Sequence, residues 1–195
     1  YLYYGNTVYR SSYFFYKIMP MILGYKFRNK SKSMDKLHKK HSKTLVNVCN
    51  NLGGIYVKLG QQFSSSNDIF PQIYQKRLEP LLENVKPINY KNIELILKKE
   101  NILNKLDFIE KTPLGVASLG QVYRGSYKGN NIVLKVLKPD VKKNTKSDLH
   151  VINMAIKLGL PGLKQLMSDF SRITLTEFNF LDEANIMLEL KKNVN

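Results

Sequence analysis

The residues here that could do chemistry are a run of small residues, a lysine in an apolar strand and a glutamate in a later helix. The first two lie in GVASLGQVYRGSYKGNNIVLKV, residues 115–136. Its opening fits Gly-x-Ala-x-x-Gly-x-Val, where kinase-type phosphate loops carry glycine at the third position. Gly115, Ala117, Ser118 and Gly120 are small enough for backbone N–H groups to approach phosphate oxygens. Ala117 adds a methyl group where glycine would permit the closest approach, so a stiffer loop and an altered nucleotide pose are expected, with binding retained. Alone, such a hairpin is a weak signal, because most such matches are turns.

Lys135 lies 15 residues beyond Gly120, inside Ile132-Val133-Leu134-Lys135-Val136. In a strand, Val133, Lys135 and Leu137 share one face and Ile132, Leu134 and Val136 the other. Both faces are apolar, so a partly buried ammonium is expected, and its natural partners are a carboxylate or a phosphate. An edge lysine reaching water is the alternative; the upstream loop favours the phosphate side. The carboxylate candidate is Glu183, which interrupts an apolar stripe of Phe180, Met187 and Leu190 in TLTEFNFLDEANIMLEL. Glu177 lies off that stripe, toward solvent. Lys58 and Gln61 are neighbours on one helix face in GGIYVKLGQQF, beside Ile55, Leu59 and Phe63, and spacing alone reads them as a solvated face.

The elements that must position these groups fall into three blocks. Residues 34–67 read as helix interrupted at Gly53-Gly54, with further helices at 71–84 and 89–100. Short strands alternate through 113–137, turning at Lys128-Gly129-Asn130. After Pro139 helices return at 144–158 and 166–192, around a turn at Gly159-Leu160-Pro161-Gly162.

The net charge is +16, and residues 1–50 hold ten Lys/Arg against the single acid Asp35. A basic segment of this kind suits anionic lipid, nucleic acid, an acidic partner or plain solvation. Nucleic acid is not expected, since no recognition motif is present and the basic cluster lacks interleaved aromatics. The apolar part of residues 11–25 is too short to span a bilayer, and a core helix is favoured over interfacial anchoring. One cysteine, Cys49, with three histidines suggests neither an internal disulfide nor a zinc site.

Taken together, several motifs in order resemble the UbiB/ADCK family of atypical kinases. They are Gly54-Ile-Tyr-Val-Lys58-Leu-Gly60-Gln61, Asp68-Ile-Phe-Pro71, Thr112 through Arg124, Val133 through Pro139, and Glu177-Phe-Asn-Phe-Leu-Asp-Glu183-Ala184. The resemblance implies an α+β fold: a kinase-like small lobe of short antiparallel strands and helices, with an N-terminal helical extension. The expected division is a basic, aromatic segment at 1–33, a helical extension at 34–110 carrying Lys-x-Gly-Gln, and a partial small lobe at 111–195. It implies ATP or ADP with Mg²⁺, bound through Gly115, Ala117, Ser118, Gly120, Val122, Lys135 and Glu183. Lys58, Gln61 and Glu177 would cover the site, the Lys-x-Gly-Gln helix folding over the nucleotide.

This sequence departs from the family pattern at Gly115, where alanine is usual, and at Asn179, where the Glu-x-Asp element would place its second carboxylate. Catalytic and metal-binding residues of the large lobe are not expected within these residues, so phosphoryl transfer is expected only of the full-length protein. The implied role is kinase or ATPase activity supporting ubiquinone or other prenyl-lipid metabolism at a mitochondrial or plastid membrane, with lipid-metabolism proteins as partners; anionic lipid is the partner expected of the basic segment. A non-catalytic scaffold, binding anionic membrane through the basic segment, is the alternative.

Overall fold

A computed structural model describes residues 6–28, 33–66, 69–83, 85–139, 141–178 and 180. Helix α1, Thr7–Lys26, is capped by Asn6, whose side chain accepts from the Tyr9 amide at 3.1 Å. It buries Phe14, Ile18, Met21 and Ile22, so the 11–25 stretch is a core helix; no helix among the described residues is long and apolar enough to cross a membrane. α2, Met34–Leu52, and α3, Ile55–Ser64, are separated at Gly53-Gly54. The helix expected at 71–84 is two pieces, α4, Gln72–Leu78, and α5, Pro80–Glu83, with Pro71 at the cap of the first. Pro80 lacks an N–H to continue the α4 ladder, which accounts for the division.

Helix α6, Tyr90–Lys99, is capped by Asn89, whose side chain accepts from the Lys91 amide. The sheet follows: β1, Phe108–Ile109; β2, Gly115–Val116; β3, Gly120–Tyr127; β4, Asn130–Leu137. β3 pairs antiparallel with β1 and β2 along one edge and with β4 along the other. Lys128 and Gly129, both at positive φ, make the expected turn between β3 and β4. Two more helices follow: α7, Val141–Gly159, and, after a 3-10 turn at Pro161–Leu163, α8, Lys164–Thr176.

The described residues form two cores. The larger joins α1, α2, α3, α4, α5, α7 and α8, and so draws on all three segments into which the sequence divides. Its Ile55, Leu59 and Phe63 are the expected inward stripe of α3. The smaller packs Ile93 and Leu97 of α6 against Tyr123 of β3 and Val136 of β4. That packing closes one face of the sheet. Leu119, between β2 and β3, is buried in the larger core and ties the sheet to the helical body.

A buried ion pair links the first helix to α7. Arg10 Nε donates to both carboxylate oxygens of Asp148 at 3.1 Å, and its Nη1 donates to the Leu52 carbonyl at 2.7 Å. The guanidinium also lies 5.5 Å from the Tyr56 ring centroid. Burial raises the Asp148 pKa, while the Arg10 hydrogen bonds and charge pull it back.

Candidate functional site

The alternation of β3 and β4 decides what the sheet offers. Gln121 and Tyr123 of β3, with Leu134 and Val136 of β4, face α6. The opposite face carries Val122 opposite Lys135 and Arg124 opposite Val133. Gly115 pairs with Val122 on the other edge of β3, so Gly115, Val122 and Lys135 form one row across three strands. Val133 is 66% exposed, and Lys135 is exposed as well.

The partly buried setting expected for Lys135 is therefore not what the structure shows. Both faces of β4 are apolar in sequence, but α6 covers only one of them. Phe180 stands over Lys135, its ring centroid 4.9 Å from Nζ. Phe180 is the first residue of the stripe expected to carry Glu183; Glu183, Asn179 and the rest of that stripe lie outside the described residues.

The loop between β2 and β3 is tight. The Ala117 N–H donates to the Gly120 carbonyl at 2.9 Å, and Ser118 and Leu119 are both buried. The Lys138 amide donates to the Leu119 carbonyl at 2.9 Å. The expected stiffness is thus set less by the Ala117 methyl, which is exposed, than by Leu119 pinned in the core. Gly120 has its own reason to be glycine, since a Cβ there would meet the Val136 carbonyl oxygen at 2.9 Å. A Cβ at Gly115 would meet nothing within 4 Å.

The Lys-x-Gly-Gln helix differs from a solvated face. Lys58 forms an ion pair with Glu177, just past the end of α8, and its side chain is 20% exposed. Glu177 is accordingly not turned away from the protein. Gln61 Nε2 donates to the Leu81 carbonyl at 2.7 Å, holding α3 to α5. Gly60 makes that contact close: a Cβ would stand 2.5 Å from Leu81 Cδ1 and 3.0 Å from Cys49 Sγ. The Cys49 thiol is buried and pushed up to about 12, so it is an inert packing group.

The Arg10–Asp148 pair, which no local pattern announces, is one feature that sequence reasoning passed over. Gln121 is another. Its Nε2 donates to the Tyr123 hydroxyl at 2.5 Å and its Oε1 accepts from the Ile88 amide at 2.5 Å, fixing the linker into α6 against the sheet.

Among known families, the model of the ABC1 atypical kinase-like domain matches residues 80–195, more than half of the sequence. The chain belongs to the ABC1 atypical kinase-like family. This agrees with the α+β fold, helices around a small antiparallel sheet, and with the resemblance read from the motifs. Relatives of this ABC1 chain include an uncharacterised protein of the hydrogenase 1 5′ region from Clostridium pasteurianum, 29% identical over 96% of this chain and 37% of that one. The protein ACTIVITY OF BC1 COMPLEX KINASE 8, chloroplastic, of Arabidopsis thaliana is 38% identical over 47% of this chain and 12% of its own length. A probable protein kinase UbiB from Erwinia tasmaniensis is 26% identical over 73% and 28% respectively. This ABC1 chain thus spans 37% or less of the length of each of these relatives.

Proposed function

We propose that this segment supplies half of a nucleotide site, and that the protein containing it is an ATP-dependent, kinase-like enzyme. The observation that carries the reading is the row Gly115–Val122–Lys135 on the open face of the sheet, with Val133 beside it. Val122 and Val133 offer an apolar ledge for a planar base, and Lys135 a cation for phosphate oxygens. Gly115 leaves space at the far end of the row. Lys58 and Glu177 join α3 to the chain leading to Phe180, so the Lys-x-Gly-Gln helix and the cover over Lys135 belong to one connected unit.

The residues fit the nucleotide better than its metal. Among the described residues no group of three or more His, Cys, Asp or Glu side chains could hold a metal ion. Mg²⁺, when bound, screens the triphosphate charge and polarises the transferred phosphoryl group. Lys135 holds and orients the phosphates, and the pinned loop excludes water along one side. The chloroplastic relative supports an organellar location for the whole protein and the relative named a probable protein kinase supports its kinase-like activity; a prenyl-lipid role rests on the motif resemblance alone. Equilibrium binding of Mg·ATP to the intact protein tests the reading: Lys135→Ala should weaken it roughly tenfold or more, the loss of one charge-assisted contact. Unchanged affinity would count against it.

A second reading, a membrane-bound scaffold, draws on the outward side of α1. Tyr9, Tyr16 and Leu23 recur at seven-residue spacing, and Tyr16 and Phe27 are 72% and 73% exposed. Lys17 Nζ lies 4.9 Å from the Tyr16 ring centroid. Exposed aromatic rings with a lysine beside them suit the interface of an anionic bilayer. Co-sedimentation with anionic vesicles should fall with salt and fall further in Tyr16→Ala/Phe27→Ala; salt-independent or absent binding would remove this reading.

A further inference from the structure

Lys135 is exposed on the open face of the sheet and carries its charge on a flexible stem. Ordering such a stem on a ligand costs rotamer entropy. Backbone pairing fixes where the stem starts, opposite Val122, and leaves the position of the ammonium to side-chain contacts. The ring of Phe180 supplies one of them. Its centroid lies 4.9 Å from Nζ, within reach of a cation–π contact. An aromatic face attracts an ammonium through its quadrupole, which an aliphatic side chain of similar size lacks.

The segment that carries the ring is itself anchored. Glu177, three residues before Phe180, forms the ion pair with Lys58 of α3. Phe178 packs against the larger core. Phe180 then reaches over β4. Lys135 is exposed even with the ring beside it, so a phosphate oxygen can approach the ammonium without displacing Phe180.

We infer that Phe180 is a positioning residue for the phosphates of a bound nucleotide, its ring holding the Lys135 ammonium in place on the open face of the sheet. The inference rests on the nucleotide reading and adds to it a residue that acts through Lys135 rather than on the ligand.

The experiment is equilibrium binding of Mg·ATP and of adenosine to the intact protein, in a double-mutant cycle of Phe180→Leu and Lys135→Met, with thermal melts on the same samples. Phe180→Leu keeps an apolar side chain and removes the aromatic face. It should weaken Mg·ATP roughly threefold to fivefold, the scale of an exposed cation–π contact, and leave adenosine and Tm nearly unchanged. Phe180→Tyr keeps the face and should bind Mg·ATP as the parent does. In the Lys135→Met background, Phe180→Leu should have no further effect, because the cation it holds is gone. A merely structural Phe180 would weaken Mg·ATP equally in both backgrounds and weaken adenosine as well.

That equal loss would overturn the inference. So would Mg·ATP binding that depends on Lys135 but is unmoved or tightened by Phe180→Leu, or a Phe180→Tyr protein as weak as Phe180→Leu; each of these leaves the nucleotide reading standing. Mg·ATP binding that is absent from the parent, or indifferent to Lys135→Met, would overturn the nucleotide reading and this inference with it.

Discussion

Val122 stands directly opposite Lys135 in the β3–β4 ladder, on the face of the sheet that α6 does not cover. Backbone pairing thereby holds an apolar side chain and a cation side by side. Substitutions on that face should therefore alter binding while leaving the fold in place. Val133→Asp puts a carboxylate beside Lys135 at a position that is 66% exposed. It is expected to lower Mg·ATP affinity by roughly tenfold or more, through like-charge repulsion with phosphate, with Tm within a few degrees of the parent. Titration and a thermal melt on the same sample check both halves.

Gly115 and Gly120 lie on either side of the β2–β3 loop but answer different constraints. Gly120→Ala drives a methyl group into the Val136 carbonyl, 2.9 Å away, and no rotamer change relieves a backbone clash. It should cost about 1–3 kcal/mol in urea unfolding, the range for overpacking. Gly115→Ala meets open space and should be close to neutral.

The buried pair of Arg10 and Asp148 should fail when halved. Both side chains are 3% exposed, so Arg10→Met or Asp148→Leu alone leaves an uncompensated charge and should cost about 3–5 kcal/mol. The double variant replaces the pair with apolar groups and should recover most of that loss. Denaturant titration of the three proteins gives the coupling directly.

Lys58 and Glu177 call for a smaller number. Their side chains are 20% and 41% exposed, so solvent screens the pair. A double-mutant cycle with Lys58→Ala and Glu177→Ala should return at most about 1 kcal/mol of coupling. The pair's larger effect is expected on Mg·ATP affinity, since it holds the chain leading to Phe180.

His41 makes stability depend on pH. Burial lowers its pKa, and the charges of Lys40 and His38 lower it further. As pH falls through about 6.5 the unfolded chain takes the proton first, so this part of the stability is present above that value and declines below it. Thermal melts between pH 7.5 and 5.5 should show Tm falling with acid, and His41→Gln should remove part of the slope.

Much of this was legible from residue spacing, and what was not has identifiable causes. The parity of Val133, Lys135 and Leu137, the inward stripe of Ile55, Leu59 and Phe63, and the turn at Lys128-Gly129 follow from local periodicity and backbone preference. The exposure of Lys135 did not, because strand sequence shows that two faces are apolar and not which one a helix will cover. Gln61 bonding to Leu81 depends on how α3 crosses α5, and Arg10 meeting Asp148 joins residues 138 apart. Such contacts come from helix packing over long separations, on which sequence spacing is silent.

The claim that the open face of this sheet is a nucleotide face has a direct test in hydrogen exchange of the intact protein with and without Mg·ATP. The account predicts slower exchange at 115–122 and 133–137, with α6 on the covered face unchanged. Protection confined to other parts of the chain, or none at saturating nucleotide, would contradict it.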